Sequence, residues 1–151
     1  MPRFRLSGVL APMSDPVRRL LDAYRDAVLA KDVDALLALY APDARLFDMW
    51  GPWSYDGAAA WRKNVEDWFG SLGSEKVGVE FDDVRTIDSG DVIVAQAFVT
   101  YRGLSAAGEE LRAMQNRLTV ILANKGGAWK IVHEHSSSPA DFETGKVKLR
   151  R

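Results

Sequence analysis

Apolar residues recur at intervals of three and four near the start of the chain and at alternate positions further on, a change of period that predicts helices followed by strands. Val17, Leu20, Leu21, Tyr24 and Val28 share one helical face. Before them, Ser14-Asp15-Pro16 offers a capping side chain and a proline suited to a first turn. A second short helix is expected from Asp32 or Asp34 through Ala35, Leu36, Leu39 and Tyr40, ending at Pro42, which has no amide proton to continue the ladder. Residues 44–49, ARLFDM, read as a short strand; Gly51-Pro52 breaks it, and Asp56-Gly57 turns the chain into a third helix over residues 58–69. Residues 77–87, 92–103 and 111–123 are β-rich, and a last strand begins at Trp129. The turns between them are Ser89-Gly90-Asp91, Ala107-Gly108-Glu109 and Lys125-Gly126-Gly127. Helices first and a meander afterwards predict an α+β fold, with three N-terminal helices packed on one face of a strongly curved, mostly antiparallel sheet.

The last strand, WKIVHEHSSS, contains both histidines of the chain. Strict alternation puts Trp129, Ile131, His133 and His135 on one face and Lys130, Val132, Glu134 and Ser136 on the other. The face with the tryptophan and the isoleucine is expected to be buried, taking the imidazoles with it.

Length and composition narrow the picture. At 151 residues, 47% hydrophobic and 27% charged, the chain suits one soluble domain with a sizeable core. The domain is expected over residues 14–140, between an N-terminal extension, 1–13, and a basic tail, 141–151, whose KVKLRR reads as a solvated charge run. Twenty basic against twenty-one acidic residues give a net charge of -1, with no global attraction for nucleic acid or membrane. There is no cysteine, hence no disulfide or thiol chemistry. No apolar run approaches the roughly 20 residues that span a bilayer, and MPRFRLSGVLAPMSD is too interrupted for a signal peptide, so a cytoplasmic location is expected.

The order αα-β-α-ββββ, the run YAPDARLFD, and the positions Tyr24, Tyr40, Asp48 and Gly57, separated by 16, 8 and 9, resemble the ketosteroid-isomerase-like members of the SnoaL-like family. That family belongs to the nuclear-transport-factor-2-like superfamily. Arg117-Leu-Thr119 and WKIVHEHSS are similar to the broader SnoaL-like group and to kinase association domains of the same fold. The resemblance implies a cone with an internal pocket, a homodimer and no cofactor. It also implies that Tyr24 donates to a substrate oxyanion and that Asp48 shuttles a proton. Steroid isomerases keep a protonated aspartic acid beside the tyrosine; near that place this chain has Gln115, Asn116 or Arg117.

The candidate catalytic set is therefore Asp48 as base, Tyr24 and Arg117 as holders of an enolate oxygen, and His135 as proton relay. Trp50, Trp53, Tyr55, Trp61, Gln115 and His133 are the candidate substrate contacts, the aromatics forming an apolar lid at the mouth of the cone. Each has a plainer reading: Asp48 capping its loop, Tyr24 and the histidines filling core, Arg117 in an ion pair, and Trp61 and Trp68 as core or dimer interface. His133, His135 and Asp48 together would also make a facial metal triad. The leading functional expectation is a cofactor-independent acid/base enzyme, an isomerase, cyclase or dehydratase, acting on a small apolar carbonyl or polycyclic ligand. The alternatives are a ligand-binding or dimeric assembly module, and a metal-independent carbonic anhydrase, whose HHHSS run HEHSS resembles.

Overall fold

The computed structural model describes residues 14–151; the expected extension over 1–13 lies outside the described residues. Helix α1, Asp15–Ala30, buries Val17, Leu20, Leu21, Tyr24, Ala27 and Val28, the stripe its periodicity predicts. Pro16 sits in its first turn, but the Ser14 side chain makes no capping bond; the Ser14 carbonyl accepts from Arg18 N at 3.0 Å instead. Helix α2, Val33–Leu37, starts at Asp32, whose carboxylate accepts from Ala35 N at 2.9 Å. It is shorter than expected, because Tyr40 and Pro42 already belong to strand β1, Tyr40–Phe47. Proline is tolerated there because the pairing of β1 with the last strand is interrupted between Tyr40 and Arg45.

A two-residue strand β2, Tyr55–Asp56, which alternation over so short a span does not announce, pairs with β1 ahead of helix α3, Ala58–Ser71. Strands β3, Lys76–Asp88, β4, Val92–Leu104, β5, Glu110–Lys125, and β6, Ala128–Ser137, follow as a meander. The six strands form one curved sheet in the order β2-β1-β6-β5-β4-β3, antiparallel except where β1 runs parallel to β6. Helix α1 packs on β3 and α3 on β1, so the α+β arrangement encloses a core between the helices and the inner sheet face. Leu36, Leu46, Leu122 and Ile131 are wholly buried there, each contributing about 1.5–3 kcal/mol by removal from water.

One irregularity decides which side chains enter the core. Leu122 pairs with Ile131 and Ile121 pairs with His133, so two steps along β6 match one along β5 and Val132 is the additional residue of a bulge. Past it the parity of β6 is reversed. Ile131 faces inward, and after the bulge Glu134 and Ser136, not His133 and His135, continue the inner face.

The basic tail, expected to be solvated, instead covers part of the sheet edge. β6 ends its pairing at Ser137 with Arg117, which leaves the first half of β5 without a strand neighbour on that side. Gln115 N donates to Leu149 O at 2.7 Å, Arg151 N donates to the Gln115 side chain at 2.8 Å, and the Arg151 guanidinium lies 4.1 Å from the Phe98 ring centroid. Among the described residues no helix is long and apolar enough to cross a membrane.

Candidate active site

Between α1, α3 and the inner sheet face lies a cavity of about 560 Å³, within the size range of small-molecule sites. Apolar side chains from Trp61, Trp68, Leu72, Val77, Met114 and Leu118 make much of its wall. Its chemistry comes from Tyr24, Asp48, Tyr101, Asn116, Glu134 and Ser136.

Asp48 follows the last residue of β1, in phase with the buried Ala44 and Leu46, and so looks inward. Its Oδ1 accepts from Ser136 Oγ at 3.0 Å and its Oδ2 from Trp50 N at 3.1 Å. Ser136 Oγ in turn accepts from Met49 N at 3.0 Å, which orients the hydroxyl toward the carboxylate. Burial pushes the Asp48 pKa up, and the hydrogen bonds from Trp50, Ser136 and Met49 hold it back. The upward direction is the one a general base near neutral pH requires.

Tyr24, on the buried stripe of α1, and Tyr101, on the inner face of β4, place their hydroxyl oxygens 3.2 Å apart. Burial raises both pKa values, so both phenols keep their protons. One hydroxyl donates to the other, leaving a second O–H free to donate into the cavity. Tyr101 was absent from the sequence-derived set, although Ile93, Ala95, Val99 and Tyr101 fall on one parity of β4, the parity whose Ile93, Ala95 and Val99 are core.

Glu134 was expected to face outward and is the most deeply placed carboxyl of the cavity, 6% exposed. Tyr40 OH donates to its Oε1 at 2.8 Å. Burial raises its pKa to about 7; the bond from Tyr40 opposes this and the negative charge of Asp48 adds to it. The lining includes a single cation, Arg112 at the exposed rim, and its guanidinium is already bridged to Glu75.

Of the three residues near the place of the steroid isomerases' protonated aspartic acid, Asn116 is the one that turns inward. It is 8% exposed; its Nδ2 faces Met49 Sδ at 3.4 Å, and its Oδ1 is buried with no hydrogen-bond partner. Gln115 and Arg117, on the opposite parity of β5, face outward. Gln115 Nε2 donates to Thr100 Oγ1 at 3.2 Å, and Arg117 Nε donates to Ser137 Oγ at 3.1 Å.

The bulge at Val132 likewise leaves His133 and His135 outside, edge-on to the Phe47 ring at centroid distances of 5.0 and 5.4 Å. His133 Nδ1 donates to Arg45 O at 2.7 Å. These placements differ from the expected inward facing of Arg117 and both histidines, and they separate the histidines from the inner hydrogen-bonding set of Asp48. Among the described residues no group of His, Cys, Asp or Glu is arranged to hold a metal.

The aromatic lid divides. Trp50, half exposed, and Trp61, buried, line the cavity. Tyr55 stands behind Trp61 at a ring distance of 5.0 Å and donates to Asn64 Oδ1 at 3.0 Å. Trp53 is 98% exposed, against a second hollow shared with Arg45, Phe47 and His135 on the other side of the Asp48 loop.

A helix-backed curved sheet thus holds an apolar cavity whose lining includes the Asp48 carboxyl and the Tyr24–Tyr101 phenol pair. The match to the family model described as SnoaL-like domain, over residues 17–141, shows that the chain belongs to that family. It is 34% identical over 98 residues to a steroid Δ-isomerase from Nocardioides simplex, an overlap covering 65% of this chain and 72% of that one. A solved NTF2-like protein of unknown function from Pseudomonas putida superposes with a TM-score of 0.77 at 27% identity, over 88% of this chain and 91% of that one. Aln2 from a Streptomyces species gives 0.74 at 15% identity, covering 83% and 92%, a likeness of fold alone.

Proposed function

We propose that the protein is a cofactor-independent acid/base enzyme of the isomerase or cyclase kind, acting on a small, largely apolar carbonyl compound. The observation that carries this reading is that Asp48, its pKa raised by burial, faces the same apolar cavity as two neutral phenols with a donor to spare. Asp48 removes a proton α to the carbonyl, and the charge that develops on the carbonyl oxygen is met by the free O–H of the Tyr24–Tyr101 pair. Such donors act strongly where water is excluded and the phenols are already in place. The proton on Asp48 is then returned at another carbon, which completes an isomerisation. The likeness to a steroid Δ-isomerase supports a polycyclic ketone as substrate, and a cavity of about 560 Å³ has room for one. The Ser136 hydroxyl, itself part of the cavity lining, holds the Asp48 carboxylate by its bond to Oδ1.

The test is the conversion of a β,γ-unsaturated steroid ketone to its conjugated isomer, followed by the absorbance of the enone. Positioned proton transfer contributes typically 100- to 10,000-fold, so Asp48→Asn is expected to lower turnover by about that range. Wild-type turnover that survives Asp48→Asn unchanged would sink the reading.

A further inference from the structure

Proton shuttling by Asp48 needs one carboxyl, and the cavity holds two. Glu134 and Ser136 are neighbours on the inner face of β6, one two-residue strand step of roughly 7 Å apart along the backbone, and Ser136 binds Asp48, so both carboxyls belong to the same stretch of the cavity wall. Their surroundings are opposite. Asp48 is held by hydrogen-bond donors, the partners of a carboxylate. Glu134 receives one bond, from Tyr40 to Oε1, and its Oε2 has no hydrogen-bond partner among the described residues.

Because the Tyr40 phenol occupies Oε1 as a donor, a proton carried by Glu134 sits on Oε2. That oxygen is the one left to the cavity. The groups facing Glu134 are Tyr40 from β1, Asp48 beyond the end of β1, Tyr24 from α1 and Tyr101 from β4, all anionic or neutral. None supplies the positive charge that would favour the carboxylate.

Resting on the acid/base reading above, we infer that Glu134 is a second catalytic residue, a general acid that delivers the Oε2 proton to a leaving oxygen. The substrate class that uses both carboxyls is a β-hydroxy carbonyl compound, and the reaction is loss of water. Asp48 takes the α-proton, and the electron pair of that C–H bond becomes the new C=C bond. The β-carbon–oxygen bond breaks with its pair passing to oxygen, which receives the Glu134 proton and leaves as water. Asp48 ends protonated and Glu134 ionised; transfer of the proton from Asp48 to Glu134 through the released water restores both. Nothing is oxidised or reduced.

The experiment compares two ketones with wild type, Asp48→Asn, Glu134→Gln and Tyr40→Phe. One ketone carries a β-hydroxyl, whose departure needs a proton, and the other a β-para-nitrophenoxy group, which leaves as a stable anion. A general acid contributes typically 100-fold or more, so Glu134→Gln is expected to lose about 100-fold on the hydroxy ketone and at least about tenfold less than that on the nitrophenoxy ketone. The wild-type rate on the hydroxy ketone falls as pH rises through about 7, where Glu134 loses its proton. In Glu134→Gln that alkaline limb is absent, and in Tyr40→Phe it moves upward.

Equal losses on the two ketones, or a wild type that expels nitrophenoxide but not hydroxide, overturn the role of Glu134 and leave Asp48 as base. A wild type that isomerises the β,γ-unsaturated ketone but acts on neither of these two overturns the role of Glu134 alone, and one that acts on none of the three overturns the acid/base reading itself. Infrared titration of the resting protein gives an answer without substrate. A protonated carboxyl band at pH about 6, missing in Glu134→Gln, is expected from the raised pKa, and its absence from wild type overturns the inference.

Discussion

Replacing Glu134 by glutamine tests the electrostatics of the cavity without any assumption about substrate. The amide has nearly the shape of the acid, and its carbonyl oxygen can keep the bond from Tyr40 OH, so what is lost is mainly the ability to ionise. In the fold Glu134 releases its proton at about 7, against an ordinary value of 4.5. A carboxyl whose folded pKa is raised binds more protons in the native than in the unfolded chain between those two values. Its contribution to stability is therefore complete below about 4.5 and is lost as pH rises through about 7. At ~1.4 kcal/mol per pH unit across that interval, the loss is on the order of 3 kcal/mol. The measurement is urea unfolding of both proteins from pH about 4 to 8.5, followed by tryptophan fluorescence, with the wild-type minus variant difference plotted against pH. Asp48 and the exposed ion pairs titrate in both proteins and largely cancel, apart from the coupling of Asp48 to Glu134. The expected result is a difference that moves against the wild type by about 3 kcal/mol as pH rises, with its midpoint between the two pKa values. A difference constant to within about 0.5 kcal/mol would mean that Glu134 ionises as it does in water, and would refute the desolvation argument.

Three further outcomes follow from the same geometry. Tyr40→Phe removes a donor that holds the Glu134 pKa down; the midpoint in the experiment above should move upward, and unfolding at neutral pH should reveal a cost of about 1–3 kcal/mol for the unsatisfied buried acceptor. Asn116→Leu replaces an amide whose buried Oδ1 has no partner; stability in urea should be unchanged or higher by up to about 1 kcal/mol, and calorimetry should show weaker binding of a hydroxylated steroid ketone. Asp48→Asn, beyond its effect on turnover, removes the negative neighbour that helps raise Glu134, so the carboxyl band of Glu134 in an infrared titration should disappear at a lower pH than in wild type.

Much of this arrangement can be read along the chain. The stripe Val17, Leu20, Leu21, Tyr24 and Val28 is a helical period, and the helix that forms buries it, bringing Tyr24 to the cavity wall. The spacing from Tyr24 through Tyr40 to Asp48 carries the family resemblance, and all three side chains belong to the inner hydrogen-bonding set. The facing of β5 is also legible: Val120 and Leu122 are core and Leu118 packs against it, so alternation puts Asn116 inward and Arg117 outward. The strongly apolar odd positions of β4 point to Tyr101 by the same count.

The exchange of His133 and His135 for Glu134 and Ser136 is a different matter. Val132, the bulged residue, is an ordinary β-former, with neither glycine nor proline beside it to mark the break. Nothing local distinguishes a regular strand there from one slipped by a single residue. The slip exists because β6 must pair with β5 on one side and run parallel to β1 on the other, and both registers are irregular in this region. Period and residue type, which are local, determined most of the elements and the buried stripe that carries Tyr24, and the family spacing pointed to Asp48. The register between distant strands, a property of pairing and closure, decided that the second ionisable group in the cavity is a carboxyl and not an imidazole, because one extra residue in a strand turns every following side chain to the opposite face.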